Sequence, residues 1–224
     1  MREQPLWRPS LEQVAITNMT RFANDASSRW RRSFDDYAGL HQWSVEAPEE
    51  FWTSIWEWTG VIGTGSIDPV VLNAGQMPGA RWFPEVRLNF SRNLLRRQDS
   101  APALIFQAED KVTRSLSHAE LYRQVAGLAD ALQQAGIVPG DRVCGFMPNM
   151  PETVVAMLAS AAIGAVWSSC SPDFGVQGVL DRFGQISPRV LFSADGYWYN
   201  GKAHNSLEKL REIEKGLPSL ERTV

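Results

Sequence analysis

The sequence has 224 residues, of which 44% are hydrophobic, and its formal net charge is −3. This length and composition are typical of a globular protein of one or two domains. The weak acidity argues against a nucleic-acid binder, which would carry a clustered basic face. No apolar stretch reaches the ~20 residues that a membrane helix needs, and residues 1–10 lack the apolar core of a signal peptide.

The first 98 residues predict an irregular, partly helical extension. A capping box at Ser10 predicts a helix start, and a further helix is predicted from Pro48, because proline and acidic residues suit a first turn. The glycines and prolines from residue 60 to 79 predict a long loop around a short extended piece at 69–72. Asn89 is expected to cap a short helix.

Seven of the nine tryptophans lie in this extension, between Trp7 and Trp82. They are compatible with a platform for an aromatic ligand or with a belt at a membrane surface. Because each tryptophan can bury ~150–250 Å², and aromatics at helical spacing usually form core, we predict instead that they clamp the extension onto a neighbouring domain.

From residue 99 onwards, strands and helices alternate regularly. Residues 103–107 and 112–116 flank Glu109-Asp110 and predict a hairpin, and a second capping box at Ser117 predicts a helix that ends at Gly136. The next elements are strand 142–147, helix 151–163, strand 165–170, helix 176–185 and strand 189–194. Such alternation predicts parallel βαβ units, and therefore an α/β fold with a layered parallel sheet.

The end of the sequence continues this alternation. Asn205 is expected to cap a last helix, and residues 220–224 resemble the opening of another strand. Because natural domains seldom end inside such a strand, we expect this chain to be the first part of a longer protein.

Both cysteines, Cys144 and Cys170, lie in strand-like apolar runs. A disulfide framework would need more cysteines in loops, and neither has an obvious histidine partner for catalysis. We predict buried free thiols in a reducing cytoplasm.

Ligands of open parallel sheets bind outside the carboxyl ends of the strands. Three loops qualify here: 148–150, 171–175 and 195–202. They contain no dinucleotide or P-loop signature, and the chain has no zinc-binding or nucleophile-elbow motif. Lys202 is either a point charge for a phosphate or an exposed, solvated lysine, and His118 is most simply a surface residue of a first helical turn.

Several segments resemble the adenylate-forming (acyl-CoA synthetase) superfamily. They are Gly140–Val143, Met147–Asn149, Ala156–Ala159 and Ile163–Val166, while Phe51-Trp52 and Trp82-Phe83 resemble the extension of its short-chain CoA ligases. The stretch from Trp167 to Phe183, with Tyr199–Lys202, resembles the acetoacetyl-CoA synthetases within that superfamily. Acetyl-CoA synthetases typically carry histidine at the position of Trp167.

The resemblance implies a ligase of acyl-CoA metabolism, in ketone-body or lipid metabolism, that uses acetoacetate, ATP, CoA and Mg²⁺ in the cytoplasm. Residues 1–98 would be the extension, and residues 99–224 the first part of the AMP-binding domain. The family's phosphate loop, acidic ATP-binding motif and C-terminal lysine do not occur before Val224, so we expect this stretch alone to be inactive, with no catalytic residue of its own.

The resemblance also implies that Ser171, Pro172 and Lys202 contact CoA. Tyr199 stands where acetyl-CoA synthetases have an arginine, so the resemblance does not carry over a second phosphate contact there. Two alternatives stay open: an acetyl- or propionyl-CoA synthetase, and a non-catalytic binding module. The oligomeric state is not predicted.

Overall fold

The structure, a computed structural model, describes residues 5–109 and 111–224. The expectations for residues 1–4 and for Asp110 in the hairpin turn therefore lie outside the described residues. Two compact units are present, the first ending at Leu88 and the second beginning at Asn89. This division lies nearer the start of the chain than the predicted domain boundary after residue 98, which stays a prediction.

Helices and short antiparallel strand pairs build the first unit. Its helices are α1 (Leu11–Ala15), α2 (Asn18–Trp30), α3 (Tyr37–Glu46) and α4 (Pro48–Thr59). Strand β1 (Gly63–Thr64) pairs with β4 (Arg87–Leu88), and β2 (Val71–Leu72) pairs with β3 (Arg81–Trp82). Strands β1 and β2 lie within the region from residue 60 to 79 that was predicted as a loop, and β2 overlaps the extended piece predicted there at 69–72.

The predicted helix starts of this unit are confirmed. Ser10 forms both hydrogen bonds of a capping box with Gln13, and Pro48 begins α4. Helices α1 and α2 are separate because the side chain of Thr17 caps the start of α2 by accepting a hydrogen bond from the Thr20 amide. Helix α3 was not predicted; it buries only Leu40 and Trp43, so its sequence carries little apolar periodicity.

Tryptophans form part of an aromatic core inside the first unit. Trp43 is only 3% exposed and meets Phe51 edge-on, with ring centroids 5.5 Å apart. The indole nitrogen of Trp30 donates to the Ser54 hydroxyl at 2.7 Å. Trp7, in contrast, is 71% exposed. The predicted clamp onto a neighbouring domain stays a prediction.

The second unit contains the predicted alternation of strands and helices. In chain order it has α5 (Phe90–Leu94), β5 (Pro102–Ala108), β6 (Val112–Ser117), α6 (His118–Gln134), β7 (Arg142–Phe146), α7 (Pro151–Ala162), β8 (Val166–Cys170), α8 (Val176–Phe183), β9 (Val190–Ser193), β10 (Gly196–Tyr199), β11 (Lys202–Asn205), α9 (Leu207–Gly216) and β12 (Arg222–Thr223). The caps predicted at Asn89 and Ser117 are both present. None of the described helices combines the length and apolarity needed to cross a bilayer.

A four-stranded sheet lies at the centre of this unit, in the order β12-β9-β7-β8. All of its strand pairs are parallel, with Val143 opposite Trp167 in one pair and opposite Val190 in the other. The predicted parallel α/β fold is thus confirmed. Strands β5 and β6 form the predicted antiparallel hairpin outside this sheet.

Alternate side chains of the central strands enter cores on opposite faces of the sheet. Val143 and Val190 join one cluster with apolar residues of α6 and α7. Cys144, Phe146 and Leu191 join the other, with apolar residues of α8 and α9. Because successive side chains of a strand point to opposite faces, burial on both sides explains the apolar runs of these strands.

Two local predictions near the site were wrong. Residues 195–202 were expected to form a loop, but β10 and β11 pair there as a hairpin. Asn200 and Gly201 form its turn with φ values of 52° and 69°, and an Asn-Gly pair with positive φ at both positions is the preferred two-residue hairpin turn. Ser206, rather than Asn205, is the N-cap of α9, although the Asn205 side chain accepts a hydrogen bond from the Leu207 amide at 2.8 Å.

Candidate functional site at the carboxyl ends of the strands

A cavity of about 740 Å³ opens where the parallel strands end. All three of the predicted strand-end loops contribute to its wall, through Asn149, Ser171 and Tyr199 among others. The β5–β6 hairpin, the end of β8 and Thr153 of α7 also contribute to the wall. The expectation that these loops converge on one site is therefore confirmed.

The loop after β8 is held by hydrogen bonds of its own polar groups. The Ser171 hydroxyl donates to Oδ2 of Asp173 at 3.1 Å and accepts a hydrogen bond from the Asp173 amide at 3.3 Å. The other carboxylate oxygen, Oδ1, accepts a hydrogen bond from the phenol of Tyr197 at 2.9 Å. The loop after β8 is thus connected to the hairpin that follows β9.

Pro172, between these two polar residues, is buried. Its carbonyl oxygen accepts a hydrogen bond from the Lys209 ammonium on α9 at 3.3 Å. The loop is therefore held both from the hairpin and from the helix. Ser171 and Pro172 do line the cavity; their contact with CoA stays a prediction.

Tyr197 is fixed by its surroundings on the hairpin. Its ring is stacked on that of His204, the residue opposite it on β11, with centroids 5.0 Å apart and an angle of 16° between the planes. Removal from water, and then the neighbouring Asp173 carboxylate, raise the pKa of the Tyr197 phenol. Tyr197 therefore stays protonated near neutral pH and can act as a hydrogen-bond donor.

Lys202 lies opposite Tyr199 beside the hairpin turn and is exposed. It is not among the described residues that line the cavity. The adjacent Gly201 amide donates to the Glu109 carboxylate, at 2.9 Å to Oε2, which connects this turn to the β5–β6 hairpin. The turn that precedes Lys202 is thus held by a hydrogen bond to Glu109 of the β5–β6 hairpin.

The cavity wall is mainly apolar, and its charged groups are acidic. Glu109 and Asp173 are the charged residues among its described lining.

Cys170 also contributes to the wall, yet it is only 5% exposed, and burial raises the pKa of its thiol. Cys144 is fully buried, and burial raises the pKa of its thiol to about 12. The predicted free, buried thiols are confirmed.

Glu109, Asp173 and Tyr197 were not predicted as site residues. Asp173 lies in one of the predicted strand-end loops, but neither its position in the sequence nor its residue type predicted the hydrogen bond from Tyr197. The Asn200-Gly201 pair was the available signal for Tyr197, because a hairpin there would have shown that Tyr197 and Tyr199 share one face.

Comparisons with known proteins agree with this architecture. Residues 90–224 match the family described as AMP-binding enzyme, and residues 37–94 match the family described as acetyl-coenzyme A synthetase N-terminus. An acetoacetyl-coenzyme A synthetase of Rhizobium meliloti is 50% identical over 96% of this chain and 33% of its own length. The malonamoyl-CoA synthetase vrtB of Penicillium aethiopicum is 37% identical over 99% of this chain and 31% of its own length.

A solved structure shows the same fold. Acetoacetyl-CoA synthetase from Streptomyces lividans matches 99% of this chain and 35% of its own, with a TM-score of 0.93 and 43% identity. The chain therefore spans about a third of the length of the relatives that it matches.

Proposed function

We propose that the full-length protein joins acetoacetate to CoA, with ATP as the activating substrate. The chain itself belongs to the AMP-binding enzyme family, which matches residues 90–224. A carboxylate oxygen of acetoacetate attacks the α-phosphorus of ATP, and the bond to pyrophosphate breaks. The CoA thiol, losing its proton, then attacks the acyl carbon, and AMP leaves. The activation is needed because an oxide is a very poor leaving group from a carboxylate, whereas AMP is a good one.

One observation carries this proposal. The resemblance to acetoacetyl-CoA synthetases extends over both units of the chain, at 50% identity to the Rhizobium meliloti protein and a TM-score of 0.93 to the Streptomyces lividans structure. Resemblance to the AMP-binding family alone would support only an acid-activating enzyme.

The described residues do not fit Mg²⁺ or the ATP triphosphate. They contain no group of three or more histidine, cysteine or acidic side chains that could hold a metal ion. The described lining of the cavity contains Glu109 and Asp173 but no cation. We therefore place Mg²⁺ and the triphosphate against residues outside this stretch. We also propose that residues 1–98 form the extension of the short-chain CoA ligases and that residues 99–224 form the first part of the AMP-binding domain. For the full-length protein we propose a cytoplasmic location.

For CoA, we propose contacts with Ser171, Pro172 and Lys202. The exposed Lys202 ammonium beside the cavity supports this proposal, because a mobile point charge of that kind suits a phosphate. Two of the positions, Ser171 and Pro172, belong to the cavity wall.

Acetoacetate-dependent exchange of pyrophosphate into ATP, measured on the full-length protein, tests the acid. We expect faster exchange with acetoacetate than with acetate, propionate or malonamate, the last included because of the malonamoyl-CoA synthetase relative. Exchange with acetate or propionate but not with acetoacetate would replace this proposal with the acetyl- or propionyl-CoA alternative. No exchange with any acid would favour a non-catalytic binding module.

Substitution of Lys202 tests the CoA contact separately. Lys202→Ala should raise the KM for CoA by roughly three- to tenfold, the range of a charge-assisted contact that is open to solvent, and leave pyrophosphate exchange unchanged. Lys202→Arg should retain most of the affinity. Lys215→Ala, at an exposed position on α9, is the matched control; an equal effect there would reduce the role of Lys202 to general surface charge.

A further inference from the structure

We propose that Tyr197 and Asp173 are positioning residues, whose hydrogen bond holds the Ser171–Asp173 loop and the β10–β11 hairpin in the arrangement that accepts CoA. The inference rests on the proposed function, because it assumes that CoA is the ligand of this edge of the sheet. Neither residue needs to touch the reacting atoms.

Every carboxylate in the described lining of the cavity accepts a hydrogen bond from another group of the protein. Asp173 accepts hydrogen bonds from the hydroxyls of Tyr197 and Ser171, one on each oxygen. Glu109 accepts a hydrogen bond from the Gly201 amide. A carboxylate that is free to turn into the cavity would repel the phosphates of CoA, so these donors orient the negative charge towards the protein.

The same bonds fix the hairpin from two sides. The Asp173 bond holds β10 at Tyr197, and the Glu109 bond holds the turn at Gly201. Lys202 follows that turn directly, so its ammonium is positioned relative to the loop of Ser171 through these two contacts. The loop in turn is fixed by the Lys209 bond to the Pro172 carbonyl.

The orientation of the Tyr197 phenol is set before any ligand arrives. Stacking on His204 at 5.0 Å defines the plane of the ring, and a side chain that is already ordered loses little conformational freedom when it acts. Loss of the hydroxyl should therefore release the loop without removing the packing of the ring.

Binding of CoA to the full-length protein, measured by titration calorimetry, tests the inference without requiring turnover. Tyr197→Phe should weaken CoA binding by roughly fivefold, the ratio that one hydrogen bond of about 1 kcal/mol gives. Tyr122→Phe is the matched control, because it removes a phenol hydroxyl from an exposed position on α6. It should leave binding unchanged.

Asp173 substitutions separate the hydrogen bond from the charge. Asp173→Asn keeps an oxygen that accepts from Tyr197 and should bind CoA nearly as well as the unchanged protein. Asp173→Ala should weaken CoA binding at least as much as Tyr197→Phe, because it removes the acceptor of both the Tyr197 and the Ser171 hydroxyls. The double variant should be no worse than Asp173→Ala, because the Tyr197 bond is already lost there.

Specific outcomes would overturn the positioning role. Wild-type affinity in Tyr197→Phe would do so, as would an Asp173→Asn variant as weak as Asp173→Ala, or additive losses in the double variant. Acid-dependent pyrophosphate exchange by the unchanged protein, run in parallel, tests the proposed reaction separately. Its absence in the unchanged protein would reject the proposed reaction while leaving the calorimetric comparison intact.

Discussion

Arg189 donates hydrogen bonds from Nε and Nη2 to both oxygens of the Glu221 carboxylate, at 2.6 and 2.8 Å. Its third nitrogen, Nη1, donates to Asp141 and to the Gly136 carbonyl. Arg189, Glu221 and Asp141 directly precede β9, β12 and β7, so one guanidinium connects the starts of three parallel strands. This edge lies opposite the candidate site.

Loss of this pairing should destabilise the second unit in a pH-dependent way. The pKa of Glu221 is lowered mainly by Arg189, and that of Asp141 mainly by the Val138 amide and then by Arg189. A lowered carboxyl pKa stabilises the folded state above the ordinary value, here 4.5 for Glu221 and 3.8 for Asp141, and this contribution disappears as the pH falls through the lowered value.

Glu221→Gln should accordingly lower the urea midpoint at pH 7 and have a smaller effect near pH 3. Arg189→Met should cost more at pH 7, because it leaves Asp141, whose side chain is 14% exposed, without its cation. Glu208→Gln, in the first turn of α9, is the control. A midpoint difference that is the same at both pH values would contradict the assigned role of the carboxylates.

Gly145 and Trp167 should be energetically coupled. A Cβ atom at Gly145, on β7, would lie 2.6 Å from the Trp167 ring on the neighbouring strand. Gly145→Ala should therefore cost about 1–3 kcal/mol of unfolding free energy through overpacking. In a Trp167→His background the cost should be smaller, and a double-mutant cycle measures the difference. Equal costs in both backgrounds would show that the indole does not require the glycine.

Phe183 should be the more costly of two phenylalanines to truncate. It is the last residue of α8 and is fully buried in the core with Phe146 and Ile213, while Phe90 is 53% exposed. Phe183→Ala should lower the unfolding free energy by about 3–5 kcal/mol, and Phe90→Ala by less than about 1 kcal/mol. Chemical denaturation of both variants gives the comparison, and similar losses would place Phe183 outside the core.

The cysteines should resist thiol reagents in the folded protein. Burial raises the pKa of Cys144 to about 12, so very little reactive thiolate forms at pH 8. We expect slow reaction of both thiols with a disulfide reagent, and fast reaction in guanidinium chloride. Cys170→Ser assigns the residual rate between them. Rapid labelling of the folded protein would contradict the burial of the two cysteines.

Local patterns sufficed for the parts of this fold that depend on neighbours along the chain. The capping boxes at Ser10 and Ser117, the proline start at Pro48 and the strand–helix alternation after residue 99 were all predicted. Each depends on hydrogen bonds or periodicity within a few residues. Because parallel strands end at one edge of their sheet, the alternation also predicted that the loops around Asn149 and Ser171 converge.

The order of the strands and the pairing of Asp173 with Tyr197 required the three-dimensional structure. Asp173 lies in the loop after β8 and Tyr197 lies on β10, and their spacing in sequence carries no signal for the contact. Strand β7 pairs with both β8 and β9, whereas the sequence of each strand alone shows only an apolar run. Contacts between distant segments depend on packing on both faces of the sheet, which periodicity along one strand does not specify.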